Sequence, residues 1–145
     1  MNTSRREGLW GGLPFTHRSP RLLFRIMGEL VKILQSSKFS LEQAEHLLPI
    51  VKKITKRAVD RFIVLEEKLQ HVQDQPKKWQ EVEQEIAELL NEWSDKIAKL
   101  GCLPKGIWLV DFDNGKGYYC WRYGDDKILY FHGYNDGFSG RVAIH

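Results

Sequence analysis

Apolar residues recur at two different periods along this chain, and the change of period divides it. From Leu41 they step by three and four, through Ala44, Leu47/Leu48, Val51, Ile54, Ala58, Phe62, Leu65, Leu69 and Val72. That spacing puts one apolar stripe on a helix. Ser40, with Gln43 three positions on, forms a capping box in which the two side chains satisfy free amide donors, so the helix opens at Leu41. Pro49 falls inside the stripe. It has no amide donor and its ring meets the carbonyl of Glu45, so a break or bend near Leu48 is expected, costing about 3 kcal/mol if the helix were held straight.

The first helix should end near His71, and Asp74-Gln75-Pro76 opens the next. Trp79, Val82, Ile86, Leu89/Leu90, Trp93, Ile97 and Leu100 then repeat the helical step, and Gly101 supplies the stop. Two helices joined by so few residues must lie antiparallel, as a hairpin. A helix of ~25 residues is ~37 Å long, more than a small sheet can cover. Part of the hairpin is therefore expected to protrude or to pack against a second copy, with Trp79 and Trp93 as interaction candidates.

After Gly101 the period becomes two. Residues 107–113, 118–123 and 127–132 are aromatic and β-branched runs, separated by Asn114-Gly115-Lys116-Gly117 and Gly124-Asp125-Asp126. These are hairpin signals and predict a three-stranded antiparallel meander, which needs the helical stripe to cover one face. The fold class is α+β. With even loops, Val110, Phe112, Tyr119, Trp121, Tyr123, Ile128, Tyr130 and His132 share one face. Leu109, Asp111, Tyr118, Cys120, Arg122, Leu129 and Phe131 share the other, and an odd loop would break this sorting.

Charge refines the domain picture. The chain of 145 residues has a formal net charge of +3, yet residues 1–38 carry seven Lys/Arg against two acids, whereas 39–145 carry fifteen against seventeen. The basicity belongs to an N-terminal extension, and residues 39–145 form a single, slightly acidic domain. Ser19-Pro20 followed by Leu23, Ile26/Met27, Leu30 and Leu34 predicts one short amphipathic helix in the extension, after a poorly ordered start. A presequence, a tether or residues upstream of a start at Met27 all fit it. No stretch approaches the ~18 apolar residues of a membrane span. Cys102 and Cys120 make no C-x-x-C pair, and reduced thiols in a cytoplasmic protein are expected.

Ten of the seventeen aromatics lie between Trp108 and Phe138. A stacking platform for nucleic acid would need positive charge, and residues 107–145 hold four Lys/Arg against five Asp, so no nucleic-acid partner is expected. Asp111 and Arg122 on one face suit either a carboxylate with an anion clamp or a cross-strand ion pair. His132 at a strand end is a candidate base, although a histidine held by backbone is the simpler reading. Arg141, closing the loop Gly137-Phe138-Ser139-Gly140, suits a phosphate or carboxylate. With no H-E-x-x-H or Cys/His ladder, neither a metal nor a cofactor is expected.

In order along the chain, Phe39-Ser40-Leu41-Glu42-Gln43-Ala44, Leu47-Leu48-Pro49, Leu109-Val110-Asp111-Phe112, Cys120-Trp121 before Gly124-Asp125, Phe131-His132 and Gly137-Phe138-Ser139-Gly140-Arg141 resemble the prokaryotic domain-of-unknown-function family DUF2203. The resemblance covers residues 39–145. It implies a small bacterial soluble protein with no established activity, and draws attention to Asp111, Cys120, Trp121, His132 and Arg141. Two departures stand out: Gly133 where the pattern has Glu, and Phe131 where it has Trp. The expected function is a non-enzymatic interaction or self-association module, with a homo-oligomer or a protein as partner. The alternative is a small-ligand or anion-binding protein, with or without catalysis, using Asp111, Arg122, His132 and Arg141. No catalytic residue is assigned.

Overall fold

The computed structural model describes residues 38–144. The short amphipathic helix expected after Ser19-Pro20 lies outside them. Helix α1 spans Leu41–His71 and helix α2 spans Pro76–Lys99. Five antiparallel strands follow in sheet order β1 to β5: Leu103–Lys105, Leu109–Asp113, Gly117–Arg122, Tyr130–Gly133 and Val142–Ala143. The fold is α+β.

The capping box forms as the sequence requires. Ser40 Oγ accepts from the Gln43 amide at 3.1 Å, and Gln43 Oε1 accepts from the Ser40 amide at 2.9 Å. The expected break at Pro49 does not occur: α1 runs through it for 31 residues. Pro49 is exposed, while Leu48 and Val51 beside it are only 2% and 0% accessible. Burying such side chains contributes roughly 1.5–3 kcal/mol each, enough to offset one missing hydrogen bond. Contacts between the helices pair Lys68 with Glu85, Arg61 with Glu92 and Thr55 with Trp93, so the two run in opposite directions.

The core lies between the helices and one face of the sheet. Val51, Val82, Ile97, Val110, Phe112 and Trp121 meet there. Trp93 is 2% accessible, and its indole donates to Thr55 Oγ1 at 3.0 Å. Its ring meets Trp108 edge-to-face at 5.0 Å, and Phe62 completes the group at 5.7 Å from Trp108. Trp93 is thus a core residue of its own chain and not an exposed anchor. Trp79 is half-buried at the rim of the same core.

The sheet has five strands and not three. The additional edge strands β1 and β5 are three and two residues long, too short to carry a period in sequence. The β2–β3 hairpin closes over an even loop in which Asn114 Oδ1 accepts from the amides of Lys116 and Gly117, both at 2.9 Å. The β3–β4 ladder ends at Cys120↔Tyr130, enclosing an odd number of residues. Strand β4 is therefore turned over relative to the alternation expected from even loops. Tyr130 and His132 join Asp111, Tyr118, Cys120 and Arg122 on the outer face, while Phe131 joins Tyr119 on the inner. The cause is Ile128, fully buried in the core, whose amide donates to Glu45 Oε1 on α1 at 3.2 Å. Lys52 on the same helix donates to the Asp126 carbonyl.

Thr55→Val keeps the shape of the side chain but leaves the buried Trp93 indole N–H without an acceptor. It should cost about 1–3 kcal/mol of unfolding free energy in denaturant titration, while a neighbouring surface change such as Lys56→Ala should cost under about 0.5 kcal/mol.

Candidate functional site

The outer face of the sheet holds polar side chains that the core does not explain. Asp111 pairs with Cys120 across β2–β3, and Tyr118 pairs with His132 across β3–β4. Residues opposite one another in antiparallel strands share a face, so the two ladders together bring Asp111, Cys120 and His132 side by side. All three are buried, at 3%, 3% and 7% accessibility. One ligating atom from each falls within 4.8 Å of the other two.

Within the trio, His132 Nε2 stands 3.3 Å from Asp111 Oδ2. The other ring nitrogen, Nδ1, lies 3.1 Å from the Gly133 carbonyl oxygen. A carbonyl can only accept, so Nδ1 carries hydrogen and fixes the ring tautomer. Cys120 hydrogen-bonds the Asp111 carboxyl as well. Burial pushes the Asp111 carboxyl above its ordinary value, against the opposing pull of His132, Cys120 and Lys105. Burial, reinforced by Asp111, pushes the Cys120 thiol up to about 12. The resting cysteine is thus a thiol, unsuited to act as a ready nucleophile. Cys102, buried in the core, is likewise pushed up to about 12 by burial.

Two cations border the trio. Lys105 Nζ lies over the Tyr118 ring at 5.6 Å, and the Arg141 guanidinium lies over the Tyr130 ring at 4.2 Å. Both rings are on the outer face, and Tyr118 also meets the His132 ring at 5.3 Å. Next to them is a second polar group that sequence reasoning did not single out. Asp113 accepts from Lys38 Nζ at 2.7 Å, Tyr134 Oη at 2.7 Å and the Gly115 amide at 2.8 Å. Burial raises the Asp113 carboxyl, but these donors outweigh it and hold the group below its usual value. This group ties the segment before α1 to the end of β2, and the hydrogen-bond demand of Asp113 is met.

Of the four ligand-binding candidates, Asp111 and His132 touch, and Arg141 reaches the same face. Arg122 also points to that face but stays exposed at the end of β3, where its own amide bonds the Asp125 carboxylate at 3.3 Å. Cys120, marked by the family pattern, stands in the centre. Trp121 lies on the opposite face in the core, its indole donating to the Asp125 carbonyl at 2.9 Å. At Gly133, Asp136 accepts from the backbone amide at 3.1 Å and fills the space that a side chain at 133 would take.

Among known proteins, a family model described as "Uncharacterized conserved protein (DUF2203)" matches residues 37–144. No curated protein and no solved structure matches the chain.

Both thiols should resist alkylation. Iodoacetamide at neutral pH should modify Cys102 and Cys120 at least about 100-fold more slowly in the folded protein than in denaturant, read by intact mass. Rapid single labelling at Cys120 would contradict its protonated state. Gly117 faces Gly133 across the ladder, and a Cβ there would run into the His132 carbonyl and the Phe131 ring. Gly117→Ala should therefore cost about 1–3 kcal/mol and shift the His132 ring resonances in NMR spectra.

Proposed function

The chain belongs to the family of uncharacterized conserved proteins DUF2203, and we propose that it is a small-ligand-binding protein whose site is the outer face of the sheet. The observation that carries this reading is the convergence of three buried, chemically active side chains, Asp111, Cys120 and His132, on the face away from the hydrophobic core. Burying ionisable groups costs free energy, and apolar side chains at those positions would stabilise the sheet better. Perturbed, clustered groups of this kind mark functional sites more often than structural ones.

The bordering charges favour an anionic ligand. Lys105 and Arg141 border the trio, each with its charge over an aromatic ring and so already partly ordered. The guanidinium can bind a carboxylate or phosphate with two parallel hydrogen bonds. Arg141, over the ring of Tyr130, which pairs with Cys120 across β3–β4, is the principal anchor in this reading, and Arg122, exposed at the strand end, is dispensable.

The self-association reading keeps one support. Ile63 and Val64 on α1 are 48% and 62% exposed, so an apolar patch remains on the helices. Its expected aromatic anchor, Trp93, is taken up by the core. This ranks association below ligand binding.

Isothermal titration with inorganic phosphate and with acetate tests the site. Wild-type protein should bind one of them with a millimolar or tighter constant, Arg141→Ala should weaken it at least tenfold, and Arg122→Ala should leave it within twofold. Equal binding by the wild type and Arg141→Ala, or no binding of either anion, would overturn the reading.

A further inference from the structure

We infer that Asp111, Cys120 and His132 form a binding site for one divalent transition-metal ion of the zinc type, with three protein ligands and an open coordination position. The inference rests on the outer face being the functional face, but it is argued from the geometry of the trio alone.

The first argument concerns lone pairs. With Nδ1 committed as donor to the Gly133 carbonyl at 3.1 Å, Nε2 of a neutral ring presents its lone pair to the Asp111 Oδ2 at 3.3 Å. Two acceptor atoms so placed in a buried setting repel unless a cation stands between them, either a proton or a metal ion. Distance helps to separate the two. A charge-assisted N–H···O bond closes to about 2.7–2.9 Å. Nitrogen and oxygen ligands at about 2.0–2.1 Å from a tetrahedral zinc ion stand about 3.3 Å apart, the edge of the tetrahedron. The observed 3.3 Å matches that edge.

The donor set gives the second argument. One imidazole nitrogen, one sulfur and one carboxylate oxygen suit zinc, cobalt(II) or iron(II), and disfavour magnesium and calcium, which take oxygen ligands. Three protein ligands with a free fourth position are the arrangement of catalytic and not structural zinc sites. The Gly133 carbonyl on Nδ1 is the partner that a ligating histidine usually has behind it, fixing tautomer and ring orientation. Cys120 Sγ lies within 4.8 Å of both other ligand atoms, close enough to complete the set.

Binding balances as a proton exchange. The metal ion displaces the thiol proton of Cys120 and the proton shared by Asp111 and His132, and both go to solvent. The bound unit of one divalent ion, a thiolate, a carboxylate and a neutral imidazole carries no net charge. Lys105 and Arg141 at its border then make the open position attractive to an anion.

The test uses the whole 145-residue chain, stripped with chelator under reducing conditions and titrated with Co²⁺ or Zn²⁺ alone. One equivalent of Co²⁺ should bind, with a thiolate-to-cobalt charge-transfer band and the intense visible bands of a tetrahedral ion. Zn²⁺ should displace it and raise Tm by about 4 °C or more at saturating concentration. Cys120→Ser should lose the charge-transfer band and bind at least tenfold more weakly, and His132→Ala should also bind at least tenfold more weakly. The metal-free melting curve of Cys120→Ser should stay close to that of the wild type, which checks that the fold persists. Arg141→Ala should keep full cobalt binding, which separates this inference from anion recognition: metal binding without anion binding sinks only the proposed function. The inference is overturned if no cobalt binds at micromolar concentration, if the sulfur band persists in Cys120→Ser, or if Mg²⁺ competes equally. Any of these leaves the proton as the cation between Asp111 and His132.

Discussion

Ile128 leaves the sheet to enter the core, and much of the molecule's chemistry follows from where it goes. Its side chain is fully buried and its amide reaches the carboxylate of Glu45 on α1. The connection before β4 is thereby held to the helix, and the strand pairs with β3 in a register that encloses an odd number of residues. Because side chains alternate at every residue, a shift of one position would send His132 to the helical face and Phe131 outward. The outer site therefore depends on one isoleucine and one carboxylate far from it.

The helical layer provides the rigidity against which that register is set. The indole of Trp93 is satisfied by Thr55 on the facing helix, so two buried polar groups serve one another. Trp108 adopts a left-handed backbone, with φ of 62°, at the turn into β2. Such a conformation costs about 1–3 kcal/mol outside glycine. The ring contacts with Trp93 and Phe62 offset it and fix the start of the strand that carries Asp111. Strand β2 is then held at its other end by Asp113, which accepts from Lys38, Tyr134 and Gly115. Asp111 sits between two fastened ends and has little freedom to leave its neighbours.

Much of this was readable in the residues. The helical stripe and the capping box at Ser40 and Gln43 located both helices, and the Asn114-Gly115 turn located the β2–β3 hairpin with its Asp111 and Cys120 on one face. All of these are local signals, in which residues a few positions apart decide the outcome. The unbroken passage of the helix through Pro49 was not readable, because the penalty is local but the packing of Leu48 and Val51 that outweighs it is not. Nor was the burial of Trp93: a tryptophan on an apolar stripe has the same spacing whether it faces its own sheet or a partner.

Sequence by itself determined that the chain is α+β and where its long elements begin, and it offered Asp111, Arg122, His132 and Arg141 as ligand-binding candidates, with Cys120 marked by the family resemblance. It pointed away from a metal site because no ligand spacing familiar from a single helix or loop is present. Only the tertiary structure decided that Asp111, Cys120 and His132 meet. They come from three strands, and their meeting requires two ladders in particular registers. The second register is set by a hydrogen bond between residues 83 positions apart, Glu45 and Ile128, and an alternation rule applied along one strand has no access to it.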